Sequence, residues 1–384
     1  MSEELTSLIA QLVGIDSVNP ALDSRHAGEG EMARFVATWA EERGLDVTRL
    51  EQTPGRPSVI VTARGRGGGR NLLLNGHMDT VGVTGAEAPF VPEVRGGRMY
   101  GRGTGDMKAG LAACMLALES AQRLGLAGDV ILTAVADEEH DSIGTRETLA
   151  ELKRSGTRID AAIVAEPTDL DILVAHRGFS VFEVELVGKA SHTSQPEQGV
   201  NALTHLGKLL HAVQRRADTI GKREPHPLLG VGTLQPVLVS GGHELFTTPA
   251  HVSLTVERRT LPDERSAYVE AELREVLAEV ERVEPAMRAT MKTLVARESF
   301  EAAADTELER VLTTAITAER GTAPQRVGAP YWTDAALIAD EGIPTLLFGT
   351  LGGGYHQTVE WVDLESAETV RRVLECVAVE VCGR

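Results

Sequence analysis

His77, Asp79, Asp106, Glu138, Glu139, Glu166 and His356 stand at the ends of apolar runs, in an order that suits the edge of a sheet where loops begin. Such edges are where α/β proteins assemble active sites. Histidines with aspartates and glutamates, and no cysteine among them, suit divalent transition metals bound through nitrogen and oxygen. The charges fit a pair of ions: two divalent cations are balanced by the carboxylates of Asp106, Glu139 and Glu166 together with one hydroxide. A bridging water held in this way is deprotonated near neutral pH and aimed at a carbonyl, the chemistry of a two-metal hydrolase.

Each segment has its own logic. In NLLLNGHMDT a buried strand runs into Gly76 and presents His77 and Asp79 on one side, so that Asp79 can fix the ring of His77. In isolation the pair also reads as a polar strand end. YGRGTGDMKAG matches neither GxGxxG nor GxxxxGK[ST], which removes the nucleotide-loop alternative. Its glycines let the backbone turn so that Asp106 reaches the sheet edge and bridges two cations; taken alone, Asp106 is equally a helix cap. DVILTAVADEE closes on adjacent glutamates whose side chains leave in different directions, with Glu139 as a ligand and Glu138 as general base, or else both as a solvated strand end. Glu166 ends AAIVAEPT, and His356 follows LGGGYH. In HVSLTVERRT, Ser253, Thr255, Glu257 and Arg259 share the polar face opposite Val252, Leu254 and Val256, so Arg259 points away from the core of its domain, where an ion pair with Glu257 or another acid is one role open to it. Asp334, before AALIADEG, reads as a helix cap, although Thr333 and Asp334 could approach the pocket.

These groups need a frame that brings distant loops together. The short apolar runs SVIVTA, NLLLNGHMDTV, DVILTAVADEE and AAIVAEPT alternate with helical stretches at 108–124 and 145–154, which predicts an α/β domain with a mainly parallel sheet flanked by helices. Two amphipathic helices precede it, one capped by Ser2 and one carrying Met32, Phe35, Val36 and Trp39. After His176 and Arg177 the style changes. Phe182, Val184 and Leu186 alternate with glutamates, and a helix follows with Leu203, Leu206, Leu210 and Val213 on one side. HVSLTVERRT, a charged helix over 263–282 and a strand near 289–296 complete a smaller α+β domain inserted in the larger one. The predicted division is 1–176 and 297–384 for the catalytic domain and 177–296 for the insertion. A helix at 305–319, the strand IPTLLFG and a helix at 364–382 close the chain.

Composition sets outer limits. The 384 residues suffice for two domains, and a net charge of −18, from 56 acidic against 38 basic residues, argues against nucleic acid or an anionic membrane as partner. The acidic start MSEELTSLIAQLVGIDS lacks a signal-peptide pattern and no apolar run spans a membrane, so a cytoplasmic location is expected. Cys114, Cys376 and Cys382 lie in helical apolar patterns without a CxxC partner and are expected as buried free thiols.

GHMDTV, YGRGTGDMKAG, ADEEHDSIGT, AEPT, HRG, GKASHTSQPEQGVNA, ERRTLP, TDAALIADEGIP and GGGYHQTVEWV, in this order, resemble the cocatalytic zinc peptidases and deacylases. That family includes acetylornithine deacetylase, succinyl-diaminopimelate desuccinylase, aminoacylase and glutamate carboxypeptidase. The resemblance covers nearly the whole chain and is strongest to acetylornithine deacetylase-like members in ERRTLP, YWTDAALIADEGIP and WVDLES. It implies a zinc-exopeptidase-like catalytic domain and an inserted lid through which the chain forms a homodimer. It further implies one metal on His77 and Glu166, the other on Glu139 and His356, and Asp106 bridging. The ions would be zinc, with cobalt or manganese as substitutes. Glu138 becomes the base, Asp79 the partner of His77, His192 a donor to the oxyanion in the neighbouring subunit's site, and Arg259 the grip on a substrate α-carboxylate. The implied activity is hydrolysis of the amide of an N-acyl amino acid by a metal-bound hydroxide. A carboxypeptidase, dipeptidase or desuccinylase would use the same site, and an inactive metal-binding scaffold is disfavoured because Glu138 and every ligand are present. One position departs from the family: Phe246, in SGGHELFTTPA, stands where many members carry a substrate-binding asparagine, leaving His243 or Thr247 to supply that contact.

Overall fold

A computed structural model describes residues 2–383; residues 1 and 384, the outermost members of the predicted catalytic domain, lie outside the description. The chain divides into two compact units, one of Met1–Val174, Ala302–Val327 and Thr333–Arg384, the other of Ala175–Glu301 with Gly328–Trp332.

The first unit is built on strands whose residues are all buried, Ser58–Ala63, Leu72–His77, Val130–Val135 and Ala161–Val164, as continuous apolar runs must be when helices cover both faces of a sheet. Val130–Val135, Leu72–His77, Ala161–Val164 and Thr345–Leu347 run parallel in that order and form the centre. The flanks are antiparallel: Ser58–Ala63 joins Val130–Val135, Asp46–Leu50 joins Ser58–Ala63, and Ile172–His176 meets Thr345–Leu347. The sheet is thus mixed around a parallel core. Register is what matters for the site. His77 pairs with Val135 and Asn75 with Val164, so three parallel strands end almost level and their loops leave side by side.

Helices Ala109–Leu124 and Leu364–Cys382 lie close to the predicted ranges. Cys114 and Cys382 are buried free thiols, but Cys376 is exposed, which corrects the expectation for that residue. It lies on the side of its helix opposite the buried Leu374, Val377 and Val381. A small antiparallel sheet of Glu93–Arg95, Arg98–Tyr100, Trp361–Asp363 and Gly352–Gly353 has no counterpart in the sequence reading. Its two- and three-residue strands are too short to show a period. Among the described residues no helix is long and apolar enough to cross a membrane.

The second unit is an antiparallel sheet in the order Thr233–Gly241, His251–Thr260, Gly178–Val187, Arg288–Arg297, with helices Ala202–Ile220 and Ser266–Val283. Phe182, Val184 and Leu186 face its core, as their alternation with glutamate requires. The helical stripe is rotated from the expected one. Leu206, Leu209 and Val213 are buried while Leu203 is exposed, because it sits about a third of a turn from the centre of that stripe. Arg258 continues the buried face of Val252, Leu254 and Val256, where Glu264 and Glu272 neutralise it.

Candidate metal centre

The parallel strands deliver the first candidate residues directly. His77 is the last residue of its strand, Glu138 and Glu139 follow the strand ending at Val135, and Glu166 follows the one ending at Val164. Asp106 arrives on the glycine-rich loop before helix Ala109–Leu124. Gly103 there has φ +79°, and a Cβ would stand 2.7 Å from Thr80. At Gly105 a Cβ would stand 2.6 Å from the ring of Tyr355, so only glycine lets this loop lie against the segment that carries His356. The Asp106–Met107 peptide is cis.

Two donor groups result. His77, Glu138 and Glu166 offer ligand atoms within 4.8 Å of one another, and so do His77, Asp106 and Glu139. Asp106 faces both sides: its Oδ1 lies 3.0 Å from His77 Nε2 and its Oδ2 lies 3.5 Å from His356 Nε2, which is also 3.3 Å from Glu139 Oε2. Glu166 Oε1 lies 3.7 Å from His77 Nε2. The side chain of His77 is 1% exposed and that of His356 is 56% exposed, so one end of the centre is enclosed and the other faces solvent.

The electrostatics of the protein alone call for cations. Burial, then the neighbouring Glu166, pushes Glu138 well above the usual carboxylate range; burial likewise raises Glu166 and Glu139. Burial opposes a charged ring at His77, yet Glu166 and Asp106 carry it well above its ordinary value. Hydrogen bonds to Asp106 and Glu139 push His356 up to about 10. Asp106 is the exception. Burial would raise it, but His356 and His77 hold it low. Without a cation the centre thus favours its protonated forms, and its oxygen and nitrogen donors fit divalent metals, which would compete with those protons.

A pH dependence follows. Groups raised in the folded state bind protons there that the unfolded chain releases, so their contribution is present at low pH and is lost as pH rises. Glu138, Glu139, Glu166, His77 and His356 share this sign, against Asp106 alone. Chelator-treated protein is expected to lose thermal stability from the glutamate range, near 4.5, up to about 10, while metal-loaded protein keeps it. Melting curves across that window test this; a metal-free midpoint that climbs with pH would contradict it.

The supporting contacts differ from expectation at Asp79. The Nδ1 of His77 meets the backbone carbonyl of Asp79 at 2.9 Å, whereas the Asp79 carboxylate is 3.6 Å away. That carboxylate instead accepts from the backbone N–H groups of Glu138 and Glu139 at 3.1 and 3.2 Å and from Asn19 at 2.8 Å. Asp79 therefore fixes the glutamate pair, and its backbone fixes the imidazole. Asn19 also reaches Asp137, which Arg56 binds together with Glu29. The sequence reading missed Asn19, Glu29, Arg56 and Asp137 because no local pattern joins residues so far apart.

Asp334 is not a side-chain cap. It accepts a 2.5 Å hydrogen bond from Thr145, and burial pushes it up to about 6. His192 and Arg259 belong to the second unit. His192 is exposed and its Nδ1 lies 2.7 Å from the Ser194 hydroxyl. Arg259 makes a two-toothed pair with Glu257 at 2.9 and 3.2 Å and lies over Phe179, so the ion-pair alternative is what this structure holds. Phe246 is exposed at φ +68°, and Thr247 donates to Glu244.

Comparison with known proteins agrees with this geometry. Residues 73–380 match the model of "Peptidase family M20/M25/M40". The chain is 30% identical to an acetylornithine deacetylase of Myxococcus xanthus, with all of both proteins covered, and 30% identical to a succinyl-diaminopimelate desuccinylase of Roseobacter denitrificans, with 92% of each covered. The crystal structure of aminopeptidase PepT from Bacillus cereus has the same fold, with a TM-score of 0.79 at 22% identity over 99% of this chain and 98% of that one. With a family match over most of the chain and two adjoining donor groups at the sheet edge, this chain belongs to peptidase family M20/M25/M40 and is a metal-dependent hydrolase of its amidohydrolase and peptidase class.

Proposed function

We propose that this protein hydrolyses the amide bond of an N-acyl amino acid in the manner of an acetylornithine deacetylase. The observation that carries this reading is the end-to-end similarity to the Myxococcus xanthus acetylornithine deacetylase. His77 and Glu166 would hold one metal, Glu139 and His356 the other, with Asp106 available to both. Zinc is the expected ion, with cobalt or manganese able to replace it. Divalent cations held there supply Lewis acidity that polarises the amide carbonyl and acidifies water. Glu138 takes the proton of the attacking water as its oxygen bonds to the carbonyl carbon. It then returns that proton to the nitrogen as the C–N bond breaks. Asp79, by gripping the N–H groups of Glu138 and Glu139, keeps base and ligand on their separate courses.

In the second unit, Arg259 would exchange Glu257 for the substrate's α-carboxylate, which its planar fork suits. His192 would serve the oxyanion of a partner subunit. Support for a homodimer comes from the edge strand Thr233–Gly241, whose Val237, Leu238 and Val239 are exposed, an unpaired apolar edge of the kind that a second chain covers. Light scattering should give twice the chain mass; an active monomer would remove the role of His192.

The similarity to a desuccinylase at equal identity favours N-succinyl diamino acids as the second reading. Release of amine from N-acetyl, N-succinyl and N-formyl amino acids and dipeptides, by stripped protein restored with zinc, cobalt or manganese, decides between them. Turnover of acetylated substrates above the others supports the deacetylase. Preference for dipeptides would make the protein a peptidase, and no turnover by fully metallated protein would favour an inactive scaffold.

A further inference from the structure

Arg102 and Glu360 form an ion pair at 2.8 Å with side chains 4% and 2% exposed, outside the ligand set and the general base. Their places in the chain are suggestive: Arg102 precedes Asp106 by four residues and Glu360 follows His356 by four. The carboxylate of Glu360 is fully used. Its Oε2 accepts from Arg102 and from the N–H of Gly103 at 2.9 Å, and its Oε1 accepts from the N–H groups of Gly105 and Asp106 at 2.9 and 3.1 Å. One side chain thus holds three backbone donors of the loop that presents Asp106. Arg102 works in the opposite direction. Its second terminal nitrogen donates to the carbonyl of Gln357 at 2.7 Å, next to His356, and to that of Gly82 at 3.1 Å, in the segment that follows His77 and Asp79. His356 needs such an anchor, since it is solvent-facing and sits at φ +59°, which a side chain other than glycine or asparagine adopts at a cost.

We infer that Arg102 and Glu360 are positioning residues that lock the Asp106 loop to the His356 loop and so set the separation and affinity of the second metal position. This rests on the two-metal assignment proposed above. The reason for a carboxylate is specific: a buried amide at position 360 would turn N–H donors toward the donors of Arg102, Gly103, Gly105 or Asp106, leaving some of them unmet. A lysine at position 102 keeps the charge but cannot serve Glu360, Gln357 and Gly82 with one planar fork. His77 and Glu166, on the ends of central strands, depend far less on this clamp.

The test is titration of Co²⁺ into chelator-stripped full-length protein, followed by visible absorption and calorimetry, for wild type, Glu360→Gln and Arg102→Lys. Wild type should take two equivalents. In Glu360→Gln the first equivalent should bind nearly as in wild type and the second about 10- to 100-fold more weakly, the usual loss when a group supporting a ligand is removed. Arg102→Lys, the milder change should Glu360→Gln fail to fold, should show the same selective loss. Wild-type affinity for both equivalents in the variants, whatever their melting temperature, overturns the inference, as does equal weakening of both, which would mark the pair as a general support of the fold. Fewer than two equivalents in wild type would overturn the two-metal assignment and this inference with it.

Discussion

Glu138→Ala is expected to lower kcat by about 10²- to 10⁴-fold, the range that a positioned acid or base supplies, while both metal equivalents stay bound and KM changes little. The side chain lies within the enclosed group of His77 and Glu166, where burial and Glu166 raise its proton affinity above that of an ordinary glutamate. A raised proton affinity is what a base working near neutral pH requires, because an ordinary carboxylate holds a water proton too weakly. The same proximity defines the competing role. Glu138 is near enough to His77 and Glu166 to share a cation with them. Metal analysis of the variant separates the two: activity lost with both metals retained assigns the proton transfer, whereas loss of an equivalent together with activity makes Glu138 a ligand. Activity within a few-fold of wild type would remove both roles.

Asp106→Ala should be as damaging for a different reason. Its two oxygens face His77 on one side and His356 on the other, and both imidazoles depend on it for charge balance. Removing this carboxylate leaves a more positive centre and takes away the group that stands between His77 and His356. The expected result is retention of no more than one metal equivalent and a fall in kcat/KM on the order of 10³ or more, as several kcal/mol of electrostatic stabilisation disappears. Elemental analysis after gel filtration gives the stoichiometry. Two tightly held equivalents in Asp106→Ala would show that the carboxylate does not bridge. This variant and Glu360→Gln form a graded pair, since the first removes the carboxylate proposed to be shared and the second leaves it in place while loosening the loop that carries it.

Much of this was legible in the residue order. Apolar runs of strand length, ending at or a few residues before His77, Glu139 or Glu166, announce both the sheet and its working edge, because a strand buried on both faces can place polar groups only where it stops. Alternation in 178–187 likewise announces a sheet with one wet face. Local signals failed where packing made the choice. Leu203 and Cys376 lie in apolar helical patterns, yet which side of a helix meets the core depends on what it packs against. Short strands such as Trp361–Asp363 exist only through their partners.

The site divides along the same line. Sequence by itself determined which residue types stand at the sheet edge and their order, since these follow from covalent connectivity and the period of the strands. Tertiary structure alone decided that Asp79 grips the backbone of Glu138 and Glu139 while its carbonyl holds His77, that Asp334 bonds Thr145 in place of its own helix, and that Glu360 ties Asp106 to the His356 loop. Apart from the local contact between His77 and Asp79, each of these is a hydrogen bond between groups distant in the chain, and its range of about 3 Å is far shorter than any spacing a sequence can specify before the core has closed.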